Sequence, residues 1–212
     1  MHVAELWRYP AKSLAGERLE AADVREDGFP GDRSVHATDG DGALLTARTR
    51  PGLLSLRGTI RDGGVLVDGE PWDSPAAGAA LRAQAGADAR LVGAEGGHEY
   101  DETPLLVATD GAIAALGHDG RRFRANIVVA GVAGMEERAW GGRSMRIGPD
   151  GVEIELDHLC KRCVITTFDP DTQEQDPAVL RTINRDLDGR FALNCWVARP
   201  GRIAVGDPVE LV

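Results

Sequence analysis

Cysteine is scarce in this 212-residue chain, which has only three. An odd and small number excludes the disulfide framework of a secreted mini-domain and points to a reducing, cytoplasmic setting. Aromatics are also sparse, at 5% of residues. No apolar run approaches the roughly 18 residues that a spanning helix needs. The opening stretch, MHVAELWRYPAKS, has neither a basic lead nor an apolar core, so it does not read as a signal peptide. Positive charge is in the minority, with 24 Lys and Arg against 34 Asp and Glu and a net charge of −10. That balance argues against a nucleic-acid partner and against an anionic membrane surface. It also makes any local basic cluster informative, because the cluster runs against the average.

Glycine, in contrast, is abundant at 27 residues, alongside 11 prolines. The runs between these breakers are short and alternating or β-branched: VAELWRYP, SVHATD, GALLTAR, LLSLRGTI and GVLVDGEPW in the first half. NIVVAG, SMRIG, VEIEL, CVITTF, CWVARP and RIAVGDPVELV follow in the second. FPGD, DGDG and RDGG supply turn chemistry between them. Two short helices are expected, one near Ala76 and one over Ala112 to Leu116 behind a Thr109-Asp110 cap. Many short strands with few helices predict a mainly β (α+β) fold built on a β-barrel, and disfavour parallel βαβ winding. The alanine- and glycine-rich stretch from Ala76 to Gly97 marks a boundary near residue 95. It separates a smaller β-rich lobe, 1–95, from a larger β-barrel domain, 96–212. The two are expected to pack intimately, in a monomer.

The chemistry concentrates at CKRC, residues 160–163. A C-x-x-C spacing is open to several readings. A redox pair of the thioredoxin kind sits at a helix start, whereas VITTF follows here. A zinc site needs four ligands, which His158, Cys160, Cys163 and Cys195 supply only on paper. Two cysteines in a core strand is the plain structural reading. A single thiolate beside Lys161 and Arg162 suits a soft or high-valent metal, or sulfur chemistry. Elsewhere cations sit beside hydroxyls or amides: Lys12-Ser13, Asp32-Arg33, Thr46 and Arg48, and Arg121, Arg122 and Arg124 ahead of Asn126. Charge plus directional donors is what an anion pocket requires. Taken singly, each of these reads first as solvated surface charge, less so Arg124, wedged between Phe123 and a hydrophobic strand, and Lys12 and Arg33, which flank turns. The acidic residues of FDPDT, Asp169 and Asp171, read as turn formers. His158 reads as structural or exposed.

Five motifs then occur in one order: YPAKSLAGE (9–17), GFPGDRS (28–34), LLTARTRP (44–51), FRANIVV (123–129) and CKRCVITTFDPDT (160–172), with a terminal GDPVEL (206–211). Together they resemble the MOSC family, the molybdenum-cofactor-sulfurase C-terminal domain with its N-terminal β-barrel partner, in the branch of the amidoxime-reducing components. The resemblance implies a molybdenum cofactor (Mo-molybdopterin). It makes Cys163 the metal-ligating, catalytic cysteine and Cys160 a neighbour. It places Lys12, Ser13, Arg33, Thr46, Arg48, Arg124, Asn126 and Arg162 around the cofactor. Ala125 stands where the family usually has proline. Thr109-Asp110-Gly111-Ala112 replaces a serine-rich stretch, which leaves Thr109 as that turn's one hydroxyl contact.

The implied activity is an oxidoreductase that reduces N-hydroxylated small molecules such as amidoximes and hydroxylamines. Three cysteines cannot ligate a four-cysteine iron–sulfur cluster, and no dinucleotide fingerprint is present. Electrons must then come from an external reductase or a ferredoxin-like protein. The competing reading is a sulfur or molybdenum-cofactor carrier with a persulfide on Cys163.

Overall fold

The computed structural model describes residues 1–212. In chain order the strands are β1 (His2–Arg8), β2 (Glu17–Leu19), β3 (Ala21–Val24), β4 (Val35–Thr38), β5 (Leu44–Leu45), β6 (Gly58–Arg61), β7 (Gly64–Val67) and β8 (Glu70–Pro71). They continue as β9 (Arg90–Gly93), β10 (Leu105–Thr109), β11 (Ile127–Ala130), β12 (Arg143–Ile147), β13 (Val152–Lys161), β14 (Arg190–Arg199), β15 (Gly201–Ala204) and β16 (Val209–Leu211). Three helices join them: α1 (Pro75–Ala85), α2 (Asp110–Leu116) and α3 (Pro177–Asp186).

Eight strands form the principal sheet, in the order β16-β12-β13-β14-β10-β11-β1-β2. Its strands follow the pattern that makes a half-buried sheet: Val152, Ile154 and Leu156 of β13 face the core, while Glu155 between them is exposed. β10 is different, with all five of LLVAT buried. Leu105 and Val107 enter one core and Leu106 and Ala108 another, so this central strand is covered on both faces. The second core is capped by α3 through Val179 and Ile183 and by Phe123 against Phe191, ring centroids 4.3 Å apart. A third core lies under β4, β5, β7 and α1, around Leu14, Leu53 and Leu81.

The mainly β character and the short helices match the expectation, but the barrel is not closed by a ladder. β16 and β2 are the two ends of the sheet and do not pair. Curling instead brings the start of β1 against the turn before β16. Val3 N–H donates to Asp207 O at 2.9 Å, and Val209 N–H donates to Met1 O at 3.0 Å.

One ladder between strands is parallel. β10 and β11 run parallel, with α2 as the crossover. The N-terminal 24 residues are shared out: β1 and β2 join the large sheet and β3 pairs with β15. The stretch read as a connection after α1 carries β9, which pairs with β4.

Two local differences have clear physical causes. Val164–Thr167, which reads as strand, is a 3-10 turn. Thr166 Oγ1 donates to Cys163 O at 2.9 Å and Thr167 Oγ1 to Val164 O at 2.7 Å. These local side-chain bonds compete successfully with a sheet ladder. α3 escaped the reading, although Asp176 caps Ala178 N–H at 2.9 Å and Pro177 follows at the first helical position.

Candidate functional site

A cleft opens where the two halves meet. The first half contributes Lys12 and Ser13 after β1, Arg33 before β4, and Thr46 and Arg48 after β5. The second contributes Arg124 and Asn126 before β11, Cys160 to Cys163 at the end of β13, and Asn194 of β14. Residues 100–103 run along its edge. Nine of the ten residues singled out from the sequence therefore converge on one cleft. Thr109 does not. It is wholly buried at the N-cap of α2, where its Oγ1 accepts from Ala112 N–H at 3.2 Å and donates to Glu137 at 3.1 Å.

Three of the cleft residues hold left-handed backbone: Ser13 at φ 69°, Arg33 at 51° and Arg124 at 55°. Each costs about 1 kcal/mol or more without a glycine. Hydrogen bonds over-determine them. Arg33 N–H donates to Tyr9 O at 2.7 Å and Arg124 N–H to Arg121 O at 3.2 Å. Such strain gathers where side chains must be aimed.

A buried rivet fixes the base. Asp32 accepts from Tyr9 N–H at 2.6 Å and from Asn126 Nδ2 at 3.2 Å, and it pairs with Arg33. Asn126 also accepts from Leu106 N–H at 3.1 Å and donates to Trp7 O at 3.2 Å. Both of its amide hydrogens are engaged, so Asn126 clamps β1 to β10 and β11 and shapes the cleft. Arg124 Nη1 donates to Leu14 O at 2.8 Å, and its guanidinium carbon lies 4.2 Å from the Tyr9 ring centroid. Enclosure pushes the Arg124 guanidinium down to about 10. Burial likewise pushes the Tyr9 phenol up to about 12, against the opposing charges of Arg124 and Arg33.

At the mouth, Asp101 bridges Lys12 Nζ and Arg48 Nη2, both at 2.7 Å. Burial pushes its carboxyl up, but the Lys12 hydrogen bond and charge, followed by the charges of Arg48 and Arg33, outweigh this and hold it below the usual range. Lys12 also donates to Glu99 O at 2.7 Å. Beyond Asp101, Asn194 Nδ2 is bonded to Glu102, and His158 Nε2 lies 3.2 Å from the same carboxylate. His158 is exposed, as the sequence suggested.

The three cysteines are all free and differ in setting. Cys195 lies in the apolar core with its thiol pushed up by burial. No three His, Cys, Asp or Glu side chains converge as a metal cluster, so the four-ligand zinc set is not assembled. Cys160 is half-buried, and burial pushes its thiol up despite Arg162, whose Nη1 lies 3.4 Å from Sγ. Cys163 opens to the cleft. Arg48 lines the same cleft, its guanidinium raised above its ordinary value first by Cys163 and, against desolvation, by Asp101. Lys161 and Arg162, read from the sequence as setting the environment of Cys163, line the same cleft. Arg162 donates to Phe123 O at 2.7 Å, and its buried Nε has no partner.

Asp169 forms the turn expected of it, accepting from Asp171 and Thr172 N–H at 3.0 Å each. The residues that sequence reasoning missed are Tyr100, Asp101, Glu102 and Asn194. A lone asparagine inside the apolar run FALNCWV was the one available signal.

An open, curled sheet with a cation-lined cleft between halves and a cysteine at its end defines a two-part β protein with a thiol in a basic cleft. The model of the MOSC domain matches residues 101–210, and that of the MOSC N-terminal beta barrel domain matches residues 1–103. The chain belongs to the MOSC family.

It is 32% identical over 128 residues to the human mitochondrial amidoxime reducing component 2, an alignment covering 51% of this chain and 37% of that protein. It is 35% identical over 80 residues to the molybdenum cofactor sulfurase of Anopheles gambiae, covering 38% of this chain and 10% of that protein. The match to the human relative thus spans little more than a third of that relative's length. Among solved structures, the YUAD protein from Bacillus subtilis superposes with a TM-score of 0.55 at 14% identity, covering 99% of this chain and 94% of that one. That likeness is one of fold. No helix is long and apolar enough to cross a membrane.

Proposed function

We propose that this chain binds a molybdenum cofactor through Cys163 and acts as an oxidoreductase on N-hydroxylated small molecules, with electrons from an external reductase or a ferredoxin-like protein. The observation that carries the reading is Cys163, half-exposed in a cleft lined by Lys12, Arg33, Arg48, Arg124 and Arg162. The unpartnered, buried Arg162 Nε is a donor in need of an acceptor. The donor set therefore fits a group that joins a soft metal to a phosphate. The names of the amidoxime-reducing and cofactor-sulfurase relatives support the same class.

In this reading the Cys163 sulfur holds the metal, and Arg48 supplies positive charge beside it. Lys12, Ser13, Arg33, Arg124 and Arg162 hold the phosphate and pterin, while Thr46 orders the loop that presents Arg48, accepting from its N–H at 3.3 Å. Asn126 and Asp32 keep this frame rigid. When bound, the cofactor supplies two-electron oxygen-atom chemistry. Reducing an N–OH to N–H with release of water takes up two electrons and two protons.

Metal and pterin content of the wild type and of Cys163→Ser, purified from a molybdate-supplied host, test this. Near-stoichiometric molybdenum with pterin, lost in Cys163→Ser, is the expected result. Molybdenum unchanged in that variant, or absent from the wild type, overturns it. The half-exposed thiol also suits a sulfur or cofactor carrier. A reducible gain of one sulfur on Cys163, without pterin, would favour that reading.

A further inference from the structure

Arg121 and Arg122 stand out in the sequence yet take no part in the cysteine cleft. They face a second, smaller cavity on the other side of Arg124 and Ile165, the two residues that line both. Its walls combine the aromatic side chains Trp7, Tyr9 and Phe168 with the guanidiniums of Arg57, Arg121, Arg122 and Arg124.

The arginines divide into two kinds. Arg121 is held by Asp119 and Asp171, both at 2.7 Å, and Arg122 by Asp169 at 2.9 Å. These pairs, with Arg122 Nη1 on Thr167 O at 3.0 Å, pin the 167–171 wall in place. Arg57 is exposed, and its guanidinium makes no hydrogen bond or ion pair; only its backbone is engaged, its N–H donating to the Asp68 carboxylate at 2.7 Å and its carbonyl accepting from Asp68 N–H at 2.9 Å. Arg124 has a single bonded nitrogen. Four guanidiniums against three carboxylates leave one net positive charge, concentrated at a cation with free donors beside an apolar floor. A mostly apolar cavity with a few convergent polar groups is the pattern of a small-molecule site. Guanidinium is the side chain best matched to a planar carboxylate or sulfonate.

We propose that this second cavity binds an aromatic organic monoanion. The ring lies among Trp7, Tyr9 and Phe168, and the anionic group pairs with Arg57. Because Arg124 is common to both cavities, an occupant here presses on the same guanidinium that faces the cysteine cleft.

Fluorescence titration of the full chain with anilinonaphthalene sulfonate tests this. One saturable site per chain is expected, weakened about tenfold in Arg57→Ala, as befits loss of one charge-assisted hydrogen bond. Ala15→Phe, which fills the cavity from its rim, should abolish binding, and the neutral N-phenylnaphthylamine should bind far more weakly. Circular dichroism confirms that each variant is folded. Absence of saturable binding overturns the proposal, as does equal affinity for the neutral probe. Loss of binding in Arg48→Ala but not in Arg57→Ala would place the probe in the cysteine cleft and overturn it equally.

Discussion

Arg124 lies flat enough on Tyr9 for its guanidinium carbon to sit 4.2 Å from the ring centroid, with Arg33 at 5.3 Å from the same ring. One buried phenol thus carries two cations, and both belong to the cleft. The stacking keeps Arg124 aimed while Leu14 O takes only one of its nitrogens.

The Tyr9 phenol should therefore resist ionisation. Its pKa is raised to about 12 in the folded chain against 10.0 ordinarily. Folding binds this proton more tightly, so the contribution to stability is complete below pH 10 and is lost as pH rises towards 12. In a Tyr100→Phe variant, which leaves Tyr9 as the one tyrosine, absorbance at 295 nm should show mostly phenol at pH 11 while circular dichroism remains native. A midpoint near 10 in the folded protein would refute the burial argument.

Asp32→Ala should be severe. It strips an acceptor from Tyr9 N–H and Asn126, and the partner from Arg33. Breaking a buried charged network by removing one member costs about 3–5 kcal/mol. Urea unfolding is the measurement, and a loss under about 1 kcal/mol would mean that the rivet contributes little.

Thr109→Ala separates stability from binding. It removes the α2 cap and leaves Glu137, already short of a partner at Oε1, with no side-chain bond. A loss of about 1–2 kcal/mol in unfolding free energy is expected, with molybdenum content per folded chain unchanged. Reduced metal content at full stability would restore Thr109 to the cofactor site.

The three thiols should label in two classes. Cys160 and Cys163 are partly exposed, whereas Cys195 is at 0% with its thiol pushed up by burial. Iodoacetamide followed by peptide mapping should modify the first two in the native chain and Cys195 only after denaturation. Early labelling of Cys195 would contradict its place in the core.

What was legible in advance were residues in turn-bound motifs. Lys12, Arg33 and Arg124 follow Tyr-Pro, Gly-Asp and Arg-Arg-Phe, where backbone chemistry and charge coincide. The edge formed by Tyr100 to Thr103 carries no such mark, because its role arises only when β1, β4 and β14 bring Lys12, Arg33 and Asn194 beside it. Gly111 was read as a departure from a serine-rich turn. In fact a Cβ there would collide with Val132 O, a tertiary constraint that spacing does not reveal. The open barrel was misjudged for a similar reason. Alternation identifies strands but not whether the first and last of them meet.

The placement of β1 bears on how the chain is made. Its pairing partner β11 lies about 120 residues downstream, with Leu6 opposite Ile127, and Val3 and Met1 bond to the turn before β16. On the ribosome the first strand can pair with β2 at once, but its other edge stays unpaired until most of the chain has been translated. Such long sequence separation slows folding and prolongs exposure to self-association. Recombinant yield should thus improve at low temperature or with chaperone co-expression, for reasons unrelated to the stability of the finished protein.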